Sequence, residues 1–559
     1  MRDLNQTSQN LLRSAVSRRT ILRGVGAAGA GAAAIALGDI TSASLVRGPE
    51  IGARFQDGTP VTGGVLRLTG HQDIPGLSPE DAGATVPFVA IVQIFNGLVE
   101  LDENLEFQPV LATALPEVSA DGLTYTITLR EDVTFSNGDP FTSADVKYTM
   151  DWIMDPANAS ISAGAFEGIV TSVEAPDPTT VVVTLAQPNA AFNALIGATL
   201  ILPSTYHEAT GQEAFAQAPV GTGPFVVNSF DPAARVLLDA NPTHFRGRPL
   251  VDQFQLDVVP EASVRAEALE NGEADNSIWA LTPEDAARLT EDPNYKTYST
   301  LNFAVLHFPL NNEHPILSDV NVRRAMMYAI DRQLIVDEIY LGAAQVATSN
   351  LSPAVATYYN PDVTMYPYDP EQAIALLEES GWVAGDGDVR TKDGQELTFT
   401  ISIPAGDSTR RGVAEVVQEF LLDVGIEVQL EEVPVAQILE LLPAGEADAG
   451  LFGWTYGDGG DPDAISVLST DGSSNWSSYS NPRVDELLQQ GINALTQEER
   501  IPIYQEIQQI ISDEVPFLYI AFLQGLTHFS NRVQNLPEEV LAIDELYKKA
   551  YTWGLDPAS

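Results

Sequence analysis

The chain has 559 residues, which is more than one hydrophobic core organises, so two or more lobes are expected. Its 28 basic residues face 77 acidic ones, a formal charge of −49 that repels nucleic acid and anionic membrane faces. There is no cysteine, which excludes disulfides, thiolate metal sites, cysteine nucleophiles and a lipid-modified N-terminal cysteine.

Residues 1–43 read as an export signal. Ser17-Arg18-Arg19-Thr20-Ile21-Leu22 is a twin-arginine pattern, Gly24–Leu37 is an apolar run, and Thr41-Ser42-Ala43 offers small residues for cleavage. The run is short and rich in Gly and Ala for a transmembrane helix. Retention as an anchor is the alternative to cleavage. Residues 44–62 are a linker.

Gly64–Thr69 alternates and predicts a first strand, followed by the irregular loop His71–Pro79. Val86–Glu100 reads as a helix ending near Asn96-Gly97. Leu123–Arg130 and Thr179–Leu185 predict strands. Thr142-Ser143-Ala144-Asp145 is a capping box opening a helix through Ile153. Gly221-Thr222-Gly223-Pro224-Phe225 looks like a phosphate loop but lacks the Lys-Ser/Thr and a helix start. Arg265–Asn271 is helical, and Leu301–Leu310 is an apolar strand suited to a sheet covered on both faces.

Ser318–Gly342 predicts two helices, the second capped by Asp331. Asp369-Pro370 opens a helix that Gly381 ends, with Ile374 and Leu377 on its inner stripe. Gly385–Gly394 has two acids at calcium-loop spacing, but Arg390 at the fifth position and no Glu at the twelfth make it a hairpin. Arg411–Leu422 predicts a helix, Ile426–Glu431 a strand, and Pro482–Gly491 and Glu498–Ser512 helices. Leu518–Phe529 predicts a returning strand. Strands alternating with helices place the chain in the α/β or α+β class in more than one lobe.

Leu451–Asp463, LFGWTYGDGGDPD, concentrates the chemistry. Its glycines allow close backbone approach, Trp454 and Tyr456 offer a flat wall, and Asp458 is an acid on the loop. Asp461-Pro462-Asp463 reads as a helix start. The alternative is a surface loop whose Trp454 plugs the core.

LATALPEVSADGLTYTITLREDVTFSNGDPFTSADVKYTMDW at 111–152 resembles the signature of the family-5 extracellular solute-binding proteins of ABC importers, the dipeptide, oligopeptide and nickel group. The resemblance continues in order through PVGTGPF, NPTHFRGRPLVDQF, LSDVNVRRAMMYAIDRQLIVDEIYLGAA, YDPEQAIALLEESGW, GWTYGDGGDPD, SNPRVDELLQQG and IYQEIQQIISDEVPFLYI. It implies a two-lobed α/β fold of the periplasmic-binding-protein type II, with an extra subdomain in the larger lobe and two crossing hinge strands. The first lobe would occupy residues 63–302, the second 303–522, and 523–559 would return to the first. Leu301–Phe308 and Tyr519–Phe529 would hold the crossings.

The resemblance also implies a site. Asp458 matches the aspartate that accepts a peptide's α-ammonium group, Gly453 would expose backbone to ligand, and Trp454 would wall the pocket. Ile74 sits where relatives pair ligand backbone with a loop of the first lobe, which gives affinity without reading side chains. Trp279, Asn302, Tyr456 and Asn475 follow from position. Dipeptide binders hold the ligand carboxylate with an arginine just before the helix that starts near Arg410. Here Ile401–Asp407 has none, and Arg410 and Arg411 match structural positions. That argues against a dipeptide-specific site and leaves longer peptides or other solutes open.

The expected partners are therefore a peptide or small solute and an importer permease, for an exported monomer at the periplasm or the outer face of the cytoplasmic membrane, with no cofactor, nucleic acid or catalysis. Three alternatives stand beside this. A secreted hydrolase lacks a nucleophile elbow or an HExxH helix. A nickel–chelate or other metal binder would use His71 with Asp73, or His307 with His314. A sensory accessory would hand the liganded protein to a receptor.

Overall fold

A computed structural model describes residues 62–102, 106–278, 281–385, 387–456, 461–540 and 543–556. The signal segment and all but the last residue of the linker lie outside them. Among the described residues no helix is long and apolar enough to cross a membrane.

The strands that position the site belong to one nine-stranded sheet. They are β1 (Val65–Gly70), β2 (Gln253–Val258), β3 (Asn276–Ser277), β4 (Tyr295–Pro309), β5 (Phe452–Thr455) and β6 (Phe517–Ser530). Across the sheet they run β5-β4-β6-β3-β1-β2, and two further strands, Arg235–Ala240 and Phe225–Asp231, complete that end. β1 pairs parallel with both β2 and β3, so Gly70, Val258 and Ser277 share one edge, the usual place for a ligand crevice in such sheets. Leu66, Leu68, Phe254 and Leu256 alternate onto the face that builds the first core, while Arg67 on the other face grips Asp275.

β4 and β6 hold the halves together. They pair antiparallel from Tyr295–Ser530 to Pro309–Phe517, with register shifts between Leu301 and Val305 and between Leu306 and His307. At one end Tyr298 and Phe529 belong to the core of β1 and β2. At the other, Leu306, Phe308, Leu518 and Ile520 belong to a separate core, packed with helices Val320–Ala329 and Ser408–Asp423. The two long strands thus cross between two lobes. A third core fills the extra subdomain, where Tyr125, Ile127, Val181 and Val183 of a four-stranded sheet pack on Met150 and Phe192.

Local signals explain most elements. Thr142 and Asp145 form the reciprocal capping box, opening Ser143–Met154. Asp331 and Asp369 accept the backbone N–H groups of Leu334 and Gln372 at their helix starts. Gly381 has φ +85, the left-handed conformation that ends a helix without Cβ strain. In 221–225 the glycines serve packing. Gly223 N–H donates to Ile94 O, and a Cβ on Gly223 would sit 2.5 Å from the Gln93 carbonyl oxygen.

Three readings are corrected. The helix expected over Val86–Glu100 is Thr85–Ile91, because Val99–Leu101 pairs as a strand with Phe107–Pro109. The hairpin lies at the end of its segment, Thr391–Lys392 with Gln395–Glu396, and Arg390 turns inward, donating to the carbonyls of Val424 and Trp382. Asp461-Pro462 does not open a helix; the next one is Ile465–Leu468, and Asp461 has another partner, described below.

His307 is a buried histidine with no polar partner among the described residues. It is 1% exposed, and its ring lies among those of Tyr456, Phe517 and Tyr519. Burial lowers its pKa to about 3. The unfolded imidazole takes up a proton near pH 6.5 and the folded one only near pH 3, so stability is lost as pH falls below about 6.5. We expect His307→Phe to reduce the stability lost between pH 7 and pH 5 by about 2 kcal/mol, read from denaturant unfolding at both pH values. Equal losses in both proteins would remove His307 as the cause.

Candidate functional site

β5 is the edge strand of the large sheet, and in sequence it leads into the glycine-rich segment. Trp454 stands opposite Val305, and Gly453 opposite Leu306. An edge strand offers unpaired backbone groups. Gly453 is half-buried, and the point where its Cβ would stand is 3.5 Å from Arg410 Nη2. The glycine therefore leaves room for a guanidinium beside the backbone.

Arg410 sits in the first turn of helix α1 (Ser408–Asp423). The N-cap Asp407 accepts its backbone N–H at 2.9 Å and pairs with Nη1 at 3.3 Å. The guanidinium also lies 5.7 Å from the centre of the Phe452 ring. It remains part-exposed, so it presents positive charge beside Gly453. Sequence reasoning read this arginine as structural. The spacing of Arg410 from its N-cap signals only helix geometry, not that Gly453 lies alongside.

Trp454 and Phe452 both stack edge-on against Trp476, with ring centroids 4.8 and 4.7 Å apart. Asn475 precedes Trp476 in the same turn. The Asn475 amide donates to the carbonyls of Ser469 and Tyr479 and accepts from Tyr479 N–H. Its hydrogen-bonding capacity is thus committed within its own loop, behind Trp454. Asn302 Oδ1 accepts Ala304 N–H at 2.9 Å, beside the first register shift of β4. Tyr456 donates its N–H to Phe303 O and is 1% exposed, so its ring lies in the core beneath the strand rather than on the wall. Ile74 is fully buried in the first core, and its N–H points at Pro232 O. Asp458 and Trp279 lie outside the described residues.

Downstream of the loop, Asp461 forms a bidentate pair with Arg500, with both contacts at 2.8 Å and both side chains largely buried. Burial alone would lower the Arg500 pKa, but the hydrogen bonds and charge of Asp461 hold it above its ordinary value. Asp463 is pushed up, by burial first and by Asp461 beside it.

The histidines named as metal candidates stand in different settings. His71 follows the carboxyl end of β1, and burial with Arg265 nearby lowers its pKa. His314 Nε2 lies 3.5 Å from Asp448 Oδ1. Among the described residues no group of three His, Cys, Asp or Glu side chains is arranged to hold a metal ion.

A model of the bacterial extracellular solute-binding proteins, family 5 (middle region), matches residues 106–477. The chain belongs to this family. Family-5 proteins are extracytoplasmic binding proteins that work with ABC importers, and not enzymes. Heme-binding protein A of Haemophilus influenzae is 30% identical over 484 residues, covering 81% of this chain and 86% of that one. The glutathione-binding protein GsiB of Escherichia coli O1:K1 is 30% identical over 457 residues, covering 79% and 86%. The oligopeptide-binding protein AppA of Bacillus subtilis, solved with a nonapeptide, shares the fold with a TM-score of 0.76 at 23% identity, over 89% of this chain and 100% of that one.

Proposed function

We propose that this family-5 protein captures a peptide or peptide-like solute between its lobes, outside the cytoplasmic membrane, and delivers it to an importer permease without altering it. The observation that carries the reading is the edge strand β5, where an open backbone at Gly453, an aromatic wall at Trp454 and the Arg410 cation occur together. A peptide presents the matching groups: amide backbone for the edge strand, apolar side chains for the wall and a carboxylate for the cation. That a relative is named for glutathione, itself a peptide, supports the choice over a metal chelate. Asp458 would hold the ammonium end, and residues 1–43 would direct export by the twin-arginine route.

The test pairs binding with shape. A pool of free-ended tri- to pentapeptides should bind saturably, with recovery of every peptide intact by mass spectrometry. Small-angle scattering should show a smaller radius of gyration at saturation, because two crossing strands let one lobe swing against the other. Peptide cleavage, or binding with an unchanged radius, would overturn this reading.

A further inference from the structure

Besides the crossing strands, the lobes touch at a second place. Helices α2 (Pro482–Asn493) and α3 (Gln497–Glu514) of the second lobe are joined by a short turn. At the end of α2, Ile492 O accepts the backbone N–H of Ala190 from the extra subdomain at 3.2 Å. Three residues on, Leu495 Cδ1 lies 2.8 Å from where a Cβ on Gly122 would stand, and Pro188 lies against the same glycine. Gly122 has φ +71, so this turn favours glycine twice over, for its conformation and for the approach of Leu495.

Both sides of this contact are braced. In the subdomain, Tyr125 Oη donates to Asn189 O, and Asn189 Oδ1 accepts Ala191 N–H at 2.8 Å. In the second lobe the brace is Arg500. Its Nε donates to Gly491 O at 3.0 Å, one residue before the carbonyl that meets Ala190. Its two Nη atoms hold Asp461, where the described chain resumes after the glycine-rich loop. Tyr358 and Tyr504 flank the guanidinium, with ring centres 5.5 and 5.3 Å from it. A Cβ on Gly491 would meet the Tyr504 ring at 2.7 Å, so α2 and α3 are pressed together where Arg500 works.

We propose that the α2–α3 turn is a clasp that holds the lobes closed through Ala190, Gly122 and Pro188, and that Arg500 is a positioning residue tying this clasp to Asp461. One rigid guanidinium contacts both Asp461 and the carbonyl adjoining the clasp. Whatever fixes Asp461 therefore fixes the clasp, and closing the clasp fixes Asp461. The coupling is reciprocal by thermodynamic necessity. The proposal rests on the closure reading above, and it identifies the contact that sets the closed population.

Because the chain has no cysteine, Glu174→Cys and Glu506→Cys supply a unique spin-label pair, one in the subdomain and one on α3. Electron–electron distances are measured without peptide and with a saturating pool of free-ended tri- to pentapeptides. Leu495→Glu, on a 44%-exposed side chain, should lower the closed-to-open ratio about threefold to tenfold, the reach of one apolar contact and one hydrogen bond. Its melting temperature should match the parent, and Leu495→Met should restore closure. Arg500→Lys, which keeps the charge and loses the fork, should lower the ratio in the parent but add little on top of Leu495→Glu. Distances in Leu495→Glu that superimpose on the parent in both conditions would overturn the clasp. Full additivity of the two substitutions would overturn the role of Arg500. If the pool leaves the parent's distances unchanged, the peptide reading fails, and the peptide-free comparison still decides the clasp.

Discussion

Replacing Asp461 by alanine should destabilise the protein by about 3–5 kcal/mol, the cost of leaving one member of a buried ion pair without its partner. Arg500 is 6% exposed on its side chain and Asp461 13%, so water cannot take the carboxylate's place without opening the α2–α3 packing. The guanidinium would keep Gly491 O, Tyr504 Oη and two ring faces, none of which carries a full negative charge. The remedy separates this cause from simple loss of packing. Asp461→Ala with Arg500→Met removes both charges, and most of the loss should return, since buried pairs replaced by apolar groups are often neutral. Denaturant midpoints for the two single variants and the double variant measure this. A loss under about 1 kcal/mol for Asp461→Ala would mean that the pair is solvated.

That pair shows where the sequence was readable and where it was not. Asp461-Pro462 has the local form of a helix start, and nothing within five residues argues otherwise. The competing cation lies 39 residues away on a helix whose pattern marks Arg500 as one more polar position. Capping signals elsewhere read correctly because the whole interaction is local: Thr142 with Asp145, Asp331 with Leu334, Asp369 with Gln372. The apolar runs of β4 and β6 were visible as strands, β6 to within one residue at each end, but the 15-residue length of β4 was not, since Tyr295–Thr300 lacks a continuous apolar pattern and is ordered by pairing with Gly525–Ser530.

The candidate site divides in the same way. Trp454 and Gly453 stood out by residue type within one short loop. Arg410 did not, because its place beside Gly453 comes from how α1 packs on the strands Thr398–Pro404 and Glu427–Val433, between segments some forty residues apart. Asn475 was legible as a polar residue near the site, but its amide ties Ser469 to Tyr479, across the turn that carries Trp476, through contacts that only the folded loop reveals. Family resemblance supplied the two-lobed fold; strand and helix periodicity alone reached only the α/β or α+β class.

Asp458→Asn should weaken binding of a free-amine peptide at least about thirtyfold, which is roughly 2 kcal/mol. The chain enters and leaves this stretch at fixed points: Tyr456 N–H is bound to Phe303 O, and Asp461 to Arg500. Asp458 lies two residues past the first and three before the second. If Asp458 meets the ammonium end as proposed, Arg410 beside Gly453 is the cation left for the carboxylate end. A closed site desolvates the ammonium pair, and truncating one partner of such a pair costs about 2–5 kcal/mol, against roughly 0–1 kcal/mol for a solvated one. The asparagine keeps the shape and removes the charge. Titration calorimetry with a free-amine peptide and its N-acetylated form separates the readings: acetylation removes the cation, so the acetylated ligand should lose far less from the substitution. A change under about threefold for the free-amine peptide would place Asp458 outside the site and leave Arg410 as the charge that orients the ligand.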